Sequence, residues 1–142
     1  FAEGVLKGYR AGLQAHKIKF DSQLLFGGNV VEADGESVMN KILKLENRPD
    51  AVLAINDVVA LGIYRAARAG NIKIGQDISV VGFSDEKFST LLDPSLASIR
   101  ENVKLIGDTA AEIILKNIAD RTVPPRVEYI KSQMIWRASV RG

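Results

Sequence analysis

AVLAINDVVALGIYRAARAG, residues 51 to 70, runs from a continuous apolar stretch through Asn56 and Asp57 directly into apolar residues at helical spacing. The first part has the length and make-up of a buried strand. The second has the periodicity of an amphipathic helix, with Gly70 as its C-terminal cap. A strand that ends on an amide and a carboxylate and turns at once into a helix is the first half of a β-α-β unit. DISVVGFSD, residues 77 to 85, then supplies a second β-branched strand that ends on Phe83, Ser84 and Asp85.

The pattern extends in both directions. FAEGVLKGYRAGLQAHK, residues 1 to 17, reads as a helix with Val5, Leu6, Tyr9 and Leu13 on one face, where Gly8 and Gly12 leave smooth spots for close packing on a sheet. SQLLFGGNV, residues 22 to 30, reads as a strand closed by Gly27, Gly28 and Asn29. Residues 31 to 49 read as a helix carrying Val38, Ile42 and Leu45 on one face and stopped by Pro49. ASIREN is strand-like, VKLIGDTAAEIILKNIA is a long helix, and RVEYIK and QMIWRASV follow Pro124 and Pro125. Strands alternating with helices predict an α/β fold: a doubly wound, mainly parallel sheet flanked by helices.

Composition restricts the functions open to such a chain. Its 142 residues, 46% hydrophobic and 25% charged, are enough for one globular unit with a core. Nineteen basic against seventeen acidic residues leave a net charge of only +2, and the basic ones are scattered, so the chain by itself has no footprint for DNA. There is no cysteine, so there is no disulfide framework or thiolate, which suits a reducing cytoplasm. No run approaches the roughly 18 apolar residues of a membrane span. The one histidine, His16, fits a solvated position near a helix end. With the single histidine in that position and no cysteine, neither a nucleophilic triad nor a His/Cys metal cluster is expected. Asp57, Asp85 and Glu86 leave paired-carboxylate chemistry formally open, but no metal, cofactor or enzymatic activity is expected. GFSDEKFS lacks the glycines and lysine of a phosphate loop, LFGGNV lacks dinucleotide spacing, and Trp136 reads as a packing residue.

In open α/β sheets, ligands bind beyond the carboxyl ends of the strands. Asn56, Asp57, Phe83, Ser84 and Asp85 all fall at such ends, which gives one rim with short polar groups and an aromatic surface. Asp57 and Asp85 equally suit helix N-caps, and both roles are compatible.

Several of these residues together resemble a known family. Asn56-Asp57 followed by Ala60-Leu61-Gly62, the run Asp77-Ile78-Ser79-Val80-Val81-Gly82-Phe83, Pro94, Leu96, Gly107, an Arg-x-Ser near the end and GYRAGL at residues 8 to 13 are similar to the C-terminal part of the effector-binding core of LacI/GalR-type transcription regulators. The resemblance spans nearly the whole chain. It implies a periplasmic-binding-protein-like type I subdomain over residues 1 to 142, with a helix-turn-helix headpiece and an N-terminal subdomain lying elsewhere. It also implies a small polar effector, a sugar or derivative, and a cytoplasmic homodimer that meets DNA only through that headpiece and meets no membrane. The dimer seam would hold Leu61, Tyr64, Leu91 and Leu92. The long late helix would expose Leu105, Ile106, Ile113 or Ile114 toward the other subdomain. Two departures stand out: Val5 occupies the family's usual arginine position, and Ser84 takes the place of an aspartate. A periplasmic sugar-binding protein of a transport system is the alternative that shares this fold.

Overall fold

The computed structural model describes residues 2–141. Helix α1 (Ala2–Ala15) leads through a 3-10 turn at Ser22–Leu24 to α2 (Glu32–Ile42). Strand β1 (Ala51–Leu53), helix α3 (Asp57–Ala69), strand β2 (Ser79–Phe83), a second 3-10 turn at Lys87–Thr90 and strand β3 (Ala97–Arg100) follow. Helix α4 (Val103–Ala119) and strand β4 (Gln133–Ile135) complete the order. The sheet runs β1-β2-β3-β4, with β1, β2 and β3 parallel and β4 antiparallel to β3. The three parallel strands therefore present their carboxyl ends on one edge, as the alternation of strands and helices requires.

The core lies where α2 and α3 pack together and α3 meets the sheet. Met39 and Ile42 on α2, Ala60, Ile63 and Ala67 on α3, and Val80 and Leu96 around the sheet are almost wholly removed from solvent. The two helices approach to backbone contact. A Cβ added to Gly35 would lie 1.9 Å from the Val59 carbonyl oxygen, and one added to Gly62 would lie 1.9 Å from that of Glu32. No side chain fits between the helices at this crossing. Arg65 on α3 reaches over it to Glu32 on α2 at 2.6 Å.

The structure differs from the sequence reading at several points. SQLLFGGNV forms no strand; its start is the 3-10 turn, capped by Asp21, whose side chain accepts from the Gln23 N–H. α2 ends at Ile42, well before Pro49: Leu43 still donates to Met39 in the helical pattern, but Lys44 and Leu45 close tighter three-residue turns on Lys41 and Ile42. β1 is not buried on both faces. It is the edge of the described sheet, and Leu53 is exposed. Gly8 and Gly12 face open space rather than a sheet. Trp136 is 69% exposed, so it is not a core residue. α4 has no buried residue; Leu105, Ile106 and Ile114 are exposed as expected, Ile113 is half-buried, and Leu115 and Ile118 add to the apolar surface.

Candidate ligand-binding rim

The Asn56-Asp57 junction divides its two polar groups between two tasks. Asn56 is the N-cap of α3: its backbone is extended, and its side-chain oxygen accepts the Val59 N–H at 2.7 Å, satisfying a donor the helix leaves free. Its amide nitrogen faces the Val30 carbonyl at 3.5 Å. Asp57 is the first helical residue, and its carboxylate points inward and is fully buried. Three donors fill it. The Ser89 hydroxyl donates to Oδ2 at 2.5 Å, the Glu86 N–H to Oδ2 at 2.8 Å, and the Ser98 hydroxyl to Oδ1 at 2.7 Å. Gly82 is required directly beside it, since a Cβ there would sit 2.0 Å from Oδ1. The expectation of a ligand-facing Asp57 is therefore corrected. The residue offers no surface to a ligand, because a buried carboxylate must be saturated by hydrogen bonds and here the saturating groups come from the protein. What it does is join the start of α3 to β3 and to the loop after β2.

Ser84 and Asp85, immediately after β2, both have positive φ, 102° and 51°. Neither is a glycine, so the turn is held against its local preference by its neighbours. The Ser84 N–H donates to the Ile99 carbonyl at 2.9 Å, and the Asp85 N–H to the Ser98 hydroxyl at 3.0 Å. The Asp85 side chain is only 4% exposed and meets two guanidinium groups. Arg100 donates to its Oδ2 through Nε at 2.6 Å, and Arg137 pairs with its Oδ1 at 2.7 Å. Asp85 is thus ion-paired within the protein, with Oδ2 hydrogen-bonded to Arg100 and Oδ1 facing Arg137 across an ion pair without a hydrogen bond. Burial alone would push the Asp85 carboxyl up, but the guanidinium groups of Arg137 and Arg100 reverse this and hold it below its ordinary value. A carboxylate with a lowered folded-state pKa stabilises the fold above its unfolded-state value of about 4, and that contribution is lost as pH falls through the lowered value. The stability advantage of the parent over Asp85→Asn is expected at neutral pH and should shrink as pH is taken below about 4 in urea titrations. An advantage that grew with acidity would contradict these pairings.

Asn56, Phe83 and Ser84 remain at the carboxyl edge, with Ser84 exposed and the other two half-buried. The register places Phe83 opposite Ile99, so its side chain stands on the sheet face opposite to that of Gly82 and Ser98. Arg100, at the carboxyl end of β3 and 52% exposed, adds a cation that the sequence reading missed. Arg137 and Ser139 were legible only as an Arg-x-Ser pattern. In the structure the Arg137 guanidinium donates to the Leu96 carbonyl at 2.6 Å, while the buried Ser139 hydroxyl donates to Val80 O at 2.6 Å and accepts from the Ala97 N–H at 2.8 Å. The segment after β4 is thereby fixed between β2 and β3.

Of the four residues assigned to a dimer seam, Leu91 is 82% exposed, and Leu61 and Leu92 are half-buried. Tyr64 belongs to the core instead. It is buried, its hydroxyl donates to the Pro94 carbonyl at 2.8 Å, and burial pushes its pKa up to about 12. An apolar ring at helical spacing is drawn into its own domain first.

With this geometry in hand, comparison with known proteins gives a consistent result. Residues 2–140 match the periplasmic binding protein-like domain. The chain is 36% identical over 107 residues to a lactose operon repressor of Rhizobium radiobacter, covering 75% of this chain and 94% of that one. This chain belongs to the LacI/GalR-type effector-binding cores of the periplasmic binding protein-like family. A second relative is the HTH-type transcriptional repressor PurR of Vibrio atlanticus, 29% identical over 136 residues, 96% of this chain and 41% of that repressor. The LacI/GalR-type core described here therefore spans about two fifths of the length of the PurR relatives it matches. Among solved structures, a complex of the transcriptional regulator CelR with cellobiose superposes with a TM-score of 0.87 at 27% identity, over 94% of this chain and 41% of that one.

Proposed function

We propose that this chain is the effector-binding and dimerisation part of a cytoplasmic LacI-type repressor, which senses a sugar or sugar derivative and controls DNA through a helix-turn-helix headpiece outside residues 1–142. The observation that carries the reading is the rim itself. Three parallel strands end on one edge, where Ser84 is exposed, Asn56 and Phe83 are half-buried, and the half-exposed Arg100 stands beside them. Hydroxyl-rich ligands are held by such a mixture of short polar groups, a cation and an apolar face. The relatives support regulation over transport: two are repressors by name, and the neighbouring regulator is in complex with cellobiose. None of them is an enzyme. Among the described residues, no helix is long and apolar enough to cross a membrane.

Operator binding by the full-length protein, titrated with cellobiose and lactose, tests the reading. One of these sugars should shift operator affinity, and Ser84→Ala should raise the sugar concentration needed by about 3- to 10-fold, the value of one neutral hydrogen bond. Operator binding indifferent to both sugars would overturn the sugar assignment, and an unchanged response in Ser84→Ala would remove Ser84 from the site.

The dimer seam is proposed to run through Leu91, with Leu61 and Leu92 beside it. Leu91→Lys places a charge where an apolar contact is expected, and sedimentation of the full-length protein should show dimer affinity at least about tenfold weaker. A folded variant that dimerises like its parent would move the seam elsewhere.

A further inference from the structure

The pairing of Asp85 with two arginines has a particular place in the topology. β3 ends at Arg100 and the chain leaves the sheet into α4, in which no residue is buried. It comes back through β4 and reaches Arg137 two residues after that strand ends. Arg100 thus marks the leg by which the chain departs and Arg137 the leg by which it returns. Both point at one carboxylate, which belongs to neither leg but to the turn carrying Ser84. The two arginines are differently placed: the Arg137 side chain is 13% exposed and is also tied to the Leu96 carbonyl, whereas Arg100 is half in solvent. The turn they hold has two consecutive positive-φ residues, a shape that persists only when its surroundings impose it.

We propose that Asp85 is a positioning residue, a clasp that fastens both legs of the α4 excursion to the turn bearing Ser84, so that the shape of the ligand rim and the seating of the excursion are set together. A carboxylate with two oxygens can face two guanidinium groups at once, here accepting a hydrogen bond from Arg100 at Oδ2 and forming an ion pair with Arg137 at Oδ1, and no other residue type of this length can do so as an anion. The clasp rests on the ligand-rim reading only for its link to effector binding; the fastening itself is a property of the ligand-free protein.

Hydrogen–deuterium exchange of the full-length protein tests it. Without ligand, Asp85→Asn should speed exchange by at least about tenfold in residues 97–101 and 133–139 together with 84–86, the loss expected for charge-assisted contacts. Exchange in α2 and β1 should stay close to that of the parent. Arg137→Gln should speed the return leg, and adding it to Asp85→Asn should cost little more, since both changes break the same clasp. Arg100→Gln, at a half-exposed position, should loosen the departing leg and keeps the test readable if Asp85→Asn fails to fold. Faster exchange confined to 84–86, or spread evenly over the whole chain, would overturn the clasp in favour of a local turn or a general stability role. Cellobiose, as probe, should slow exchange at the rim and in both legs of the parent, but at the rim alone in Asp85→Asn. Slowing of both legs in the variant would overturn the coupling. Absence of any protection by cellobiose in the parent would count against the sugar reading, while the ligand-free arm still decides the clasp.

Discussion

Replacing Asp57 by alanine should lower the free energy of unfolding by about 4 kcal/mol, because three donors lose their acceptor in a place water does not reach freely. The Glu86 N–H and the hydroxyls of Ser89 and Ser98 all end on this carboxylate, and Asp57, Ser89 and Ser98 are fully buried. Each orphaned buried donor costs about 1 to 3 kcal/mol, and the hydroxyls recover part of this by rotating toward other acceptors. A denaturant midpoint that falls at unchanged slope is the readout. The competing picture, in which Asp57 contacts ligand, has the opposite signature: parental stability with a lost effector response. A stability change under about 1 kcal/mol would restore that picture.

Gly62→Leu should be comparably damaging for a different reason. The α2–α3 crossing has no room for even a methyl group, since the added Cβ at Gly62 would lie 1.9 Å from the Glu32 carbonyl oxygen and the one at Gly35 would lie 1.9 Å from that of Val59. The obstacles are backbone atoms, so relief requires moving one helix off the other rather than turning a rotamer. Overpacking a well-filled contact costs about 1 to 3 kcal/mol, and a side chain forced against backbone belongs at or above the top of that range. Gly62→Ala should cost less than Gly62→Leu yet still exceed about 1 kcal/mol, even though alanine is the better helix former by about 1 kcal/mol. Once the helices are parted by one substitution, Gly35→Ala should add less than it costs alone. Thermal unfolding of the two single variants and the double variant checks this. Strict additivity, or a stabilised Gly62→Ala, would show that the crossing is looser than its geometry.

How far the sequence reached is clearest at the strand ends. β1, β2 and β3, the helix after Asn56 and the long helix starting at Val103 were readable because apolar runs and helical spacing are local signals. The family was legible for a similar reason: Asn56-Asp57, the run into Gly82-Phe83 and the Arg-x-Ser near the end keep a fixed order along the chain. The same signals placed Asn56, Asp57, Phe83, Ser84 and Asp85 on one edge. Local signals failed where an element depends on a neighbour. SQLLFGGNV has strand-like residues but no pairing partner among the described strands, and Trp136 is apolar yet uncovered.

The direction in which each polar group points was decided only by tertiary structure. Asn56 and Asp57 are adjacent and both short and polar, yet one caps its helix while the other turns inward to Ser89, Ser98 and the loop after β2, residues about 30 to 40 positions away. Asp85 likewise finds Arg100 and Arg137, whose pairing depends on the chain leaving the sheet after β3 and returning through β4. Sequence alone determined which residues arrive at the rim, because strand and helix periods are written in nearest neighbours. Whether an arriving carboxylate serves a ligand or the fold depends on which distant donors surround it, and a buried charge is stable only where the folded chain has brought those donors to it.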